Sequence, residues 1–294
     1  MTESLPGGSR FVAAMAAAPA GTRHRPSASL TFGAVLLGIV VLTALVSLVW
    51  TPGDPITTNP ANRLAPPSAE HWLGTDGLGR DVASALMAGS RAPLMVGTVA
   101  VLISLLIGVP LGITSAMASR TTGTWLMRWN DIVQACPPLL LAVILAAVYG
   151  GGMGTAMVAL GIGASPGVAR VVRSGSRQVL SREYALAARA AGRGPLFVAV
   201  RHVLPNIRGI LIVQATVGFA LAVLAEAALS YLGLGTAVPT PSWGRMLQEA
   251  QVLVYVRPSL IVLPGTAIAV TVFGLTLLGD GLRDRVDPRL EAES

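Results

Sequence analysis

Residues 183–205 read EYALAARAAGRGPLFVAVRHVLP, and their character decides what the rest of the chain is for. The stretch is alanine-rich, studded with arginine, broken at Gly192, Gly194 and Pro195, and ended by Leu204-Pro205. Advancing about 100° per residue from Arg182 puts Arg189 and Arg193 within about 20° of it, on one cationic ridge. Tyr184, Ala187, Ala188 and Ala191 fall on the opposite side, smooth enough for another backbone to approach. Two readings follow. The helix lies on anionic lipid, drawn there by its arginines. Or it is half of a helix–turn–helix that docks on a partner, which accounts for the alanine face and the glycine break as well.

The surrounding chain is that of a membrane protein. Of 294 residues 53% are hydrophobic and only 12% charged, about half the charge density of a soluble domain. The 21 basic residues are all arginine. Without lysine the chain cannot build a P-loop or a Schiff base, so any ATP hydrolysis must come from another chain. Cys136 is the only cysteine, which excludes an internal disulfide and a cysteine metal cluster. His24, His71 and His202 are too scattered to suggest a metal site, and no cofactor is expected.

Leu30–Trp50 is uncharged for 21 residues, enough to cross a hydrocarbon core of about 30 Å. The run is too long for a signal peptide and lacks a small-residue cleavage site, which favours an anchor. Further apolar runs lie near 94–118, 132–149, 154–169, 209–233 and 259–279, giving six expected spans. YGGGMG should join the third and fourth in a tight hairpin. The expected organisation is a tail over 1–29, a first span over 30–50, a Pro/Gly-rich external loop over 51–92, a core over 93–282 and a second tail over 283–294. With the N-terminus inside, inward segments carry sixteen arginines and outward loops five, so the positive-inside rule puts both termini and residues 175–206 in the cytoplasm.

LAARAAG, nine residues and then HVLP resembles the EAA loop of ABC importer permeases: Glu-Ala-Ala, three residues, Gly, nine residues, Ile, one residue, Leu-Pro. Ala187, Ala188, Gly192, Leu204 and Pro205 match in register. Leu186 stands at the glutamate position and His202 at the isoleucine position, the histidine being ordinary for the peptide-permease branch. Glu183, one turn N-terminal to Ala187, is a partial substitute for that glutamate, and Arg189 lies inside the motif. The stretches 71–91, 225–247 and 277–290 resemble C-type permeases of the dipeptide, oligopeptide and nickel subfamily, so the similarity covers roughly residues 30–290.

The resemblance implies an all-α, six-span membrane domain of the type I importer kind, multi-pass in a bacterial inner or plasma membrane. It implies a non-catalytic subunit that pairs with a second, B-type permease. Two ABC ATPases, which hold the ATP and magnesium, and an extracytoplasmic substrate-binding protein complete the assembly; nucleic acid has no part. The expected cargo is a di- or oligopeptide, the alternative within the family being a nickel complex. A secondary transporter is disfavoured, because Glu226 is the only charge well inside a span. Glu226 itself is read as a gate or pathway residue, or as a paired residue near the outer helix end. The glycine turn around Asp76, Arg80 and Asp81 should be held by local carboxylate–guanidinium and Asx bonds. Asp280, Asp284 and Asp287 alternate with Arg283, Arg285 and Arg289, as in a solvated helix end with local ion pairs or a brace for the coupling loop.

Overall fold

The computed structural model describes residues 28–286. The tails expected over 1–29 and 283–294 therefore fall largely outside the described residues, as do Asp287 and Arg289. Among the described residues the regular secondary structure is helical, apart from a single bridge between Thr75 and Asp81 in the irregular segment over 50–81. In chain order the helices are α1 (Ala28–Val49), α2 (Val82–Gly89), α3 (Arg91–Met117), α4 (Arg120–Gln134), α5 (Pro138–Tyr149) and α6 (Met153–Leu180). After them come α7 (Glu183–Ala190), α8 (Pro195–Val198), α9 (Leu204–Tyr231), α10 (Trp243–Ala250) and α11 (Ser259–Val286).

Five helical stretches are long and apolar enough to cross a membrane, and a bent pair, α4 with α5, makes a sixth if counted as one span. The expected third span, 132–149, is where sequence and structure differ. Cys136-Pro137-Pro138 breaks the chain, because each proline lacks a donor and biases its predecessor away from helix. The apolar part, α5, has only 12 residues, or about 18 Å, and meets α4 at a bend of 70°. The fourth span differs too. Its apolar run ends at Ala169, yet α6 continues to Leu180. Val172, Gly175, Ser176, Val179 and Leu180 form a buried stripe along that extension, while Arg170, Ser174 and Arg177 turn outward.

Small residues set the packing. Without a solvent-driven hydrophobic force between helices in lipid, close backbone approach supplies the contact energy. On α3, Gly108 and Gly112 lie against α6 so closely that a Cβ would sit 2.7 Å from the carbonyls of Ser165 and Ala169. On α1, a Cβ at Gly33 would sit 2.7 Å from the Gly274 carbonyl of α11. α9 runs between α3, α6 and α11 and so forms the centre of the bundle. The expected hairpin between the third and fourth spans is present: Gly150 has φ +87°, and the Gly152 N–H donates to the Leu234 carbonyl at 3.1 Å.

The candidate coupling loop and the Glu226 staple

α6 delivers the chain to α7 through the Ser181-Arg182 turn. Arg182 is extended (φ −78°, ψ 147°), and its carbonyl accepts from the N–H groups of Ala185 and Leu186. Glu183 follows in the first turn, where its charge suits the positive end of the helix. α7 ends at Ala190 in a Schellman arrangement. The Gly192 N–H donates to the Arg189 carbonyl at 2.9 Å, and the Arg193 N–H to the Ala188 carbonyl at 3.1 Å. Gly192 holds φ +75° with nothing within 4 Å of where a Cβ would stand. Glycine is needed there for its backbone conformation, not for space.

This ending corrects the three-arginine ridge. Arg182 precedes the helix and Arg193 follows the glycine, so only Arg189 is on α7. Arg193 instead lies over the Phe197 ring, 5.0 Å from its centroid. The alanine face is corrected in part as well. Ala185 (0% exposed) is the side chain fully enclosed, and Ala188 packs beside it on the cluster of Val179, Leu180, Val198 and Val203. Tyr184, Leu186 (51%), Ala187 and Ala191 stay exposed, with Leu196, Phe197 and Val200 on the following segment. The loop thus has a buried alanine side that seats it and an open apolar side rimmed by exposed Arg182, Arg189, Arg193 and Arg201. Apolar surface with a polar rim marks an interaction site.

His202 joins the two halves. Its ring lies 5.9 Å from Tyr184 of α7 and 5.8 Å, edge-on, from Phe197 of α8. Its carbonyl accepts from Asn206 Nδ2 at 2.6 Å. Leu204 is half-buried on the same core. Pro205 does not end a helix, as the sequence suggests, but stands in the first turn of α9. Lacking an N–H, it makes no bond to the carbonyl of Arg201, and residues 199–203 widen into a π turn closed by Leu204 N–H to the Ala199 carbonyl. Glu183, Leu186, Ala187, Ala188, Arg189, Gly192, His202, Leu204 and Pro205 are therefore gathered in one loop. The parts not read from the sequence are the Tyr184–His202–Phe197 stack and the buried Ala185; only aromatic spacing hinted at the first.

Glu226 stands apart, about 32 Å further along the chain axis from Pro205 at 1.5 Å per residue. It is 1% exposed. Its Oε1 accepts from Ser230 Oγ at 2.7 Å and Thr236 Oγ1 at 3.2 Å. Ser230 Oγ in turn accepts from the Thr236 N–H at 3.0 Å. The carboxylate thereby fastens the end of α9 to the turn that leads to α10.

The turn at Gly74–Asp81 is built as expected, with one change. Asp76 Oδ2 takes Arg80 Nε at 2.7 Å, and Oδ1 takes the N–H groups of Leu78 and Arg80. Asp81 does not pair with Arg80: it caps α2 through Ser84 and holds His71 Nδ1 at 2.9 Å. Arg80 also reaches Glu249 on α10, which pairs with Arg245 at 2.9 Å. Burial pulls the Arg80 guanidinium down, but the Asp76 and Glu249 carboxylates outweigh it and hold it above its ordinary value. At the other terminus, Asp280, Arg283, Asp284 and Arg285 form no ion pair among the described residues.

Comparison with known proteins bears on the chain as a whole and shows its family. Residues 108–292 match the family of binding-protein-dependent transport system inner membrane components. The chain is 37% identical over 260 residues to the dipeptide transport system permease protein DppC of Alkalihalophilus pseudofirmus, covering 88% of this chain and 86% of that protein. It is 40% identical over 265 residues to the di/tripeptide permease DppC of Pseudomonas aeruginosa, covering 88% of each. It is 35% identical over 268 residues to the oligopeptide permease OppC of Bacillus subtilis, covering 91% and 88%. Among solved structures, the methionine ABC transporter MetNI in an inward-facing conformation shares the fold, with TM-score 0.57 and 21% identity over 69% of this chain and 96% of that one. The chain belongs to the binding-protein-dependent transport system inner membrane component family, the permease subunits of ABC importers, with peptide permeases among its relatives.

Proposed function

We propose that this permease imports di- or oligopeptides, and that residues 175–206 are where ATP-driven motion enters it. The observation that carries the coupling reading is the division of α7. Ala185 and Ala188 seat the helix on its own subunit, while Leu186 and Ala187 leave an apolar surface open beside Leu196, Phe197 and Val200. Such a surface is the complement of a cleft on a partner, and a lysine-free chain without a P-loop needs a partner to hydrolyse ATP. The peptide reading rests on the named functions of the relatives, which cover most of the chain.

In this account both termini and the loop are cytoplasmic. A second, B-type permease completes the pathway, two ATPase subunits sit beneath, and a binding protein outside delivers cargo. Closure of the ATPases on ATP draws the coupling helices together and opens the pathway outward, and hydrolysis resets it. The loop biases a two-state gate through contacts that differ between the states. This chain contributes no bond-making step. Glu226 acts in gating by holding the α9–α10 turn rather than by touching cargo.

The test is affinity purification from mild detergent followed by growth on defined peptides as sole amino-acid source, with and without the gene. Co-purification of a P-loop ATPase and a second permease, with loss of growth on di- or oligopeptides alone, is expected. A chain that purifies alone and transports without ATP contradicts the proposal.

A further inference from the structure

A cavity of about 270 Å³, on the outer face in the orientation proposed above, has no part in the coupling. Its walls come from the external loop, the start of α2, α10 with the turn after it, and the first turn of α11. Val82, Ala85, Met246, Leu253 and Leu260 make it apolar. Its polar lining is unbalanced. It holds three guanidinium groups, Arg63, Arg80 and Arg245, against two carboxylates, Asp76 and Glu249.

The carboxylates are fully engaged. Both oxygens of Asp76 accept from residues 78 and 80, and the two oxygens of Glu249 accept from Arg245 and Arg80. The guanidinium groups are not. Of their six terminal nitrogens, only Arg80 Nη2 has a hydrogen-bond partner among the described residues. Arg63, exposed at the mouth, makes no side-chain hydrogen bond or ion pair there. A small apolar chamber with surplus guanidinium N–H donors is suited to a ligand with an apolar body and one carboxylate, which arginine forks bind in bidentate fashion.

We propose that this cavity is a receiving site for the C-terminal residue of a short peptide, its carboxylate held by Arg63 and Arg245 and its apolar side chain lodged between Val82, Leu253 and Leu260. The proposal rests on the peptide-import reading above and locates a cargo contact in this subunit. A recess of this volume, open to solvent at Arg63, Leu78 and Val252, favours a small ligand over a protein surface.

The test uses the complete transporter in nanodiscs without binding protein, and labelled alanyl-leucine with its C-terminal amide as the comparison ligand. Saturable binding of the free acid is expected, with the amide at least tenfold weaker. Arg63→Gln should weaken the free acid by about tenfold to a hundredfold, the range for a lost charge-assisted hydrogen bond, and leave the amide unchanged. Arg63→Lys should retain the preference for the acid. Equal affinity for acid and amide, equal loss of both on Arg63→Gln, or no saturable binding overturns the site. So does protection of a Val252→Cys thiol, at the cavity rim, by the binding protein but not by dipeptide. Stimulation of ATP hydrolysis by peptide-loaded binding protein, measured on the same preparation, separates the two readings: stimulation without dipeptide binding sinks this site alone, and its absence sinks the peptide importer itself.

Discussion

Arg193 and Ala188 are joined by a 3.1 Å backbone hydrogen bond that spans Gly192 and, with the 2.9 Å bond from the Gly192 N–H to the Arg189 carbonyl, closes the end of α7. A side chain at Gly192 meets no atom, but it must adopt φ +75°. The cost for an L-residue in that region is about 1–2 kcal/mol. Gly192→Leu should therefore leave membrane insertion intact while loosening the turn. The expected readout is ATP hydrolysis retained with uptake reduced several-fold; unchanged uptake refutes the role of the turn.

Neighbouring alanines on α7 should respond in opposite ways. Ala185 is enclosed, so Ala185→Leu overpacks the seat of the helix and should cost roughly 1–3 kcal/mol of stability. Ala187 is exposed, so Ala187→Arg should change stability by no more than about 0.5 kcal/mol. Yet Ala187→Arg should abolish co-purification with the ATPase. Thermal unfolding in detergent alongside pull-down separates the two, and a pull-down left normal by Ala187→Arg refutes the docking face.

The His202 ring bridges α7 and α8 through Tyr184 and Phe197. A double-mutant cycle with Tyr184→Leu and His202→Leu should return a coupling of about 0.5–1.5 kcal/mol, as for aromatic pairs elsewhere. Strict additivity would show that the ring contacts do not hold the two halves together.

Replacing Glu226 by alanine removes the acceptor for Ser230 and Thr236 in a buried setting, at a cost of about 1–3 kcal/mol. Glu226→Gln keeps an acceptor oxygen and should lose less. Limited proteolysis at residues 232–242 reports the difference: faster cleavage in Glu226→Ala than in Glu226→Gln is expected, and equal rates contradict the staple.

What the sequence disclosed follows from the kind of force involved. Long apolar runs such as 30–50, 209–233 and 259–279 are dictated by length and hydropathy, and they appear as α1, α9 and α11. The loop was legible because Gly192 and Pro195 are local punctuation. Features set by tertiary contact were not. Arg170 reads as the end of a span, but α6 continues because its buried stripe from Val172 to Leu180 still finds partners in α3 and the 198–207 segment. Pro205 reads as a stop and instead begins α9, since the first turn of a helix tolerates a missing N–H. Arg80's second partner, Glu249, lies 169 residues away, and no local spacing announces it.

In the proposed mechanism α7 presents Leu186 and Ala187 to an ATPase on the cytoplasmic side. Site-directed crosslinking tests it most directly. In a Cys136→Ser background, Leu186→Cys or Ala187→Cys is paired with opposite cysteines in the ATPase. Crosslinks whose yield changes with ATP are expected, with no labelling of either position by an impermeant thiol reagent added to intact cells. Labelling from outside, or an ATPase that crosslinks elsewhere on the permease but at neither position, would contradict it.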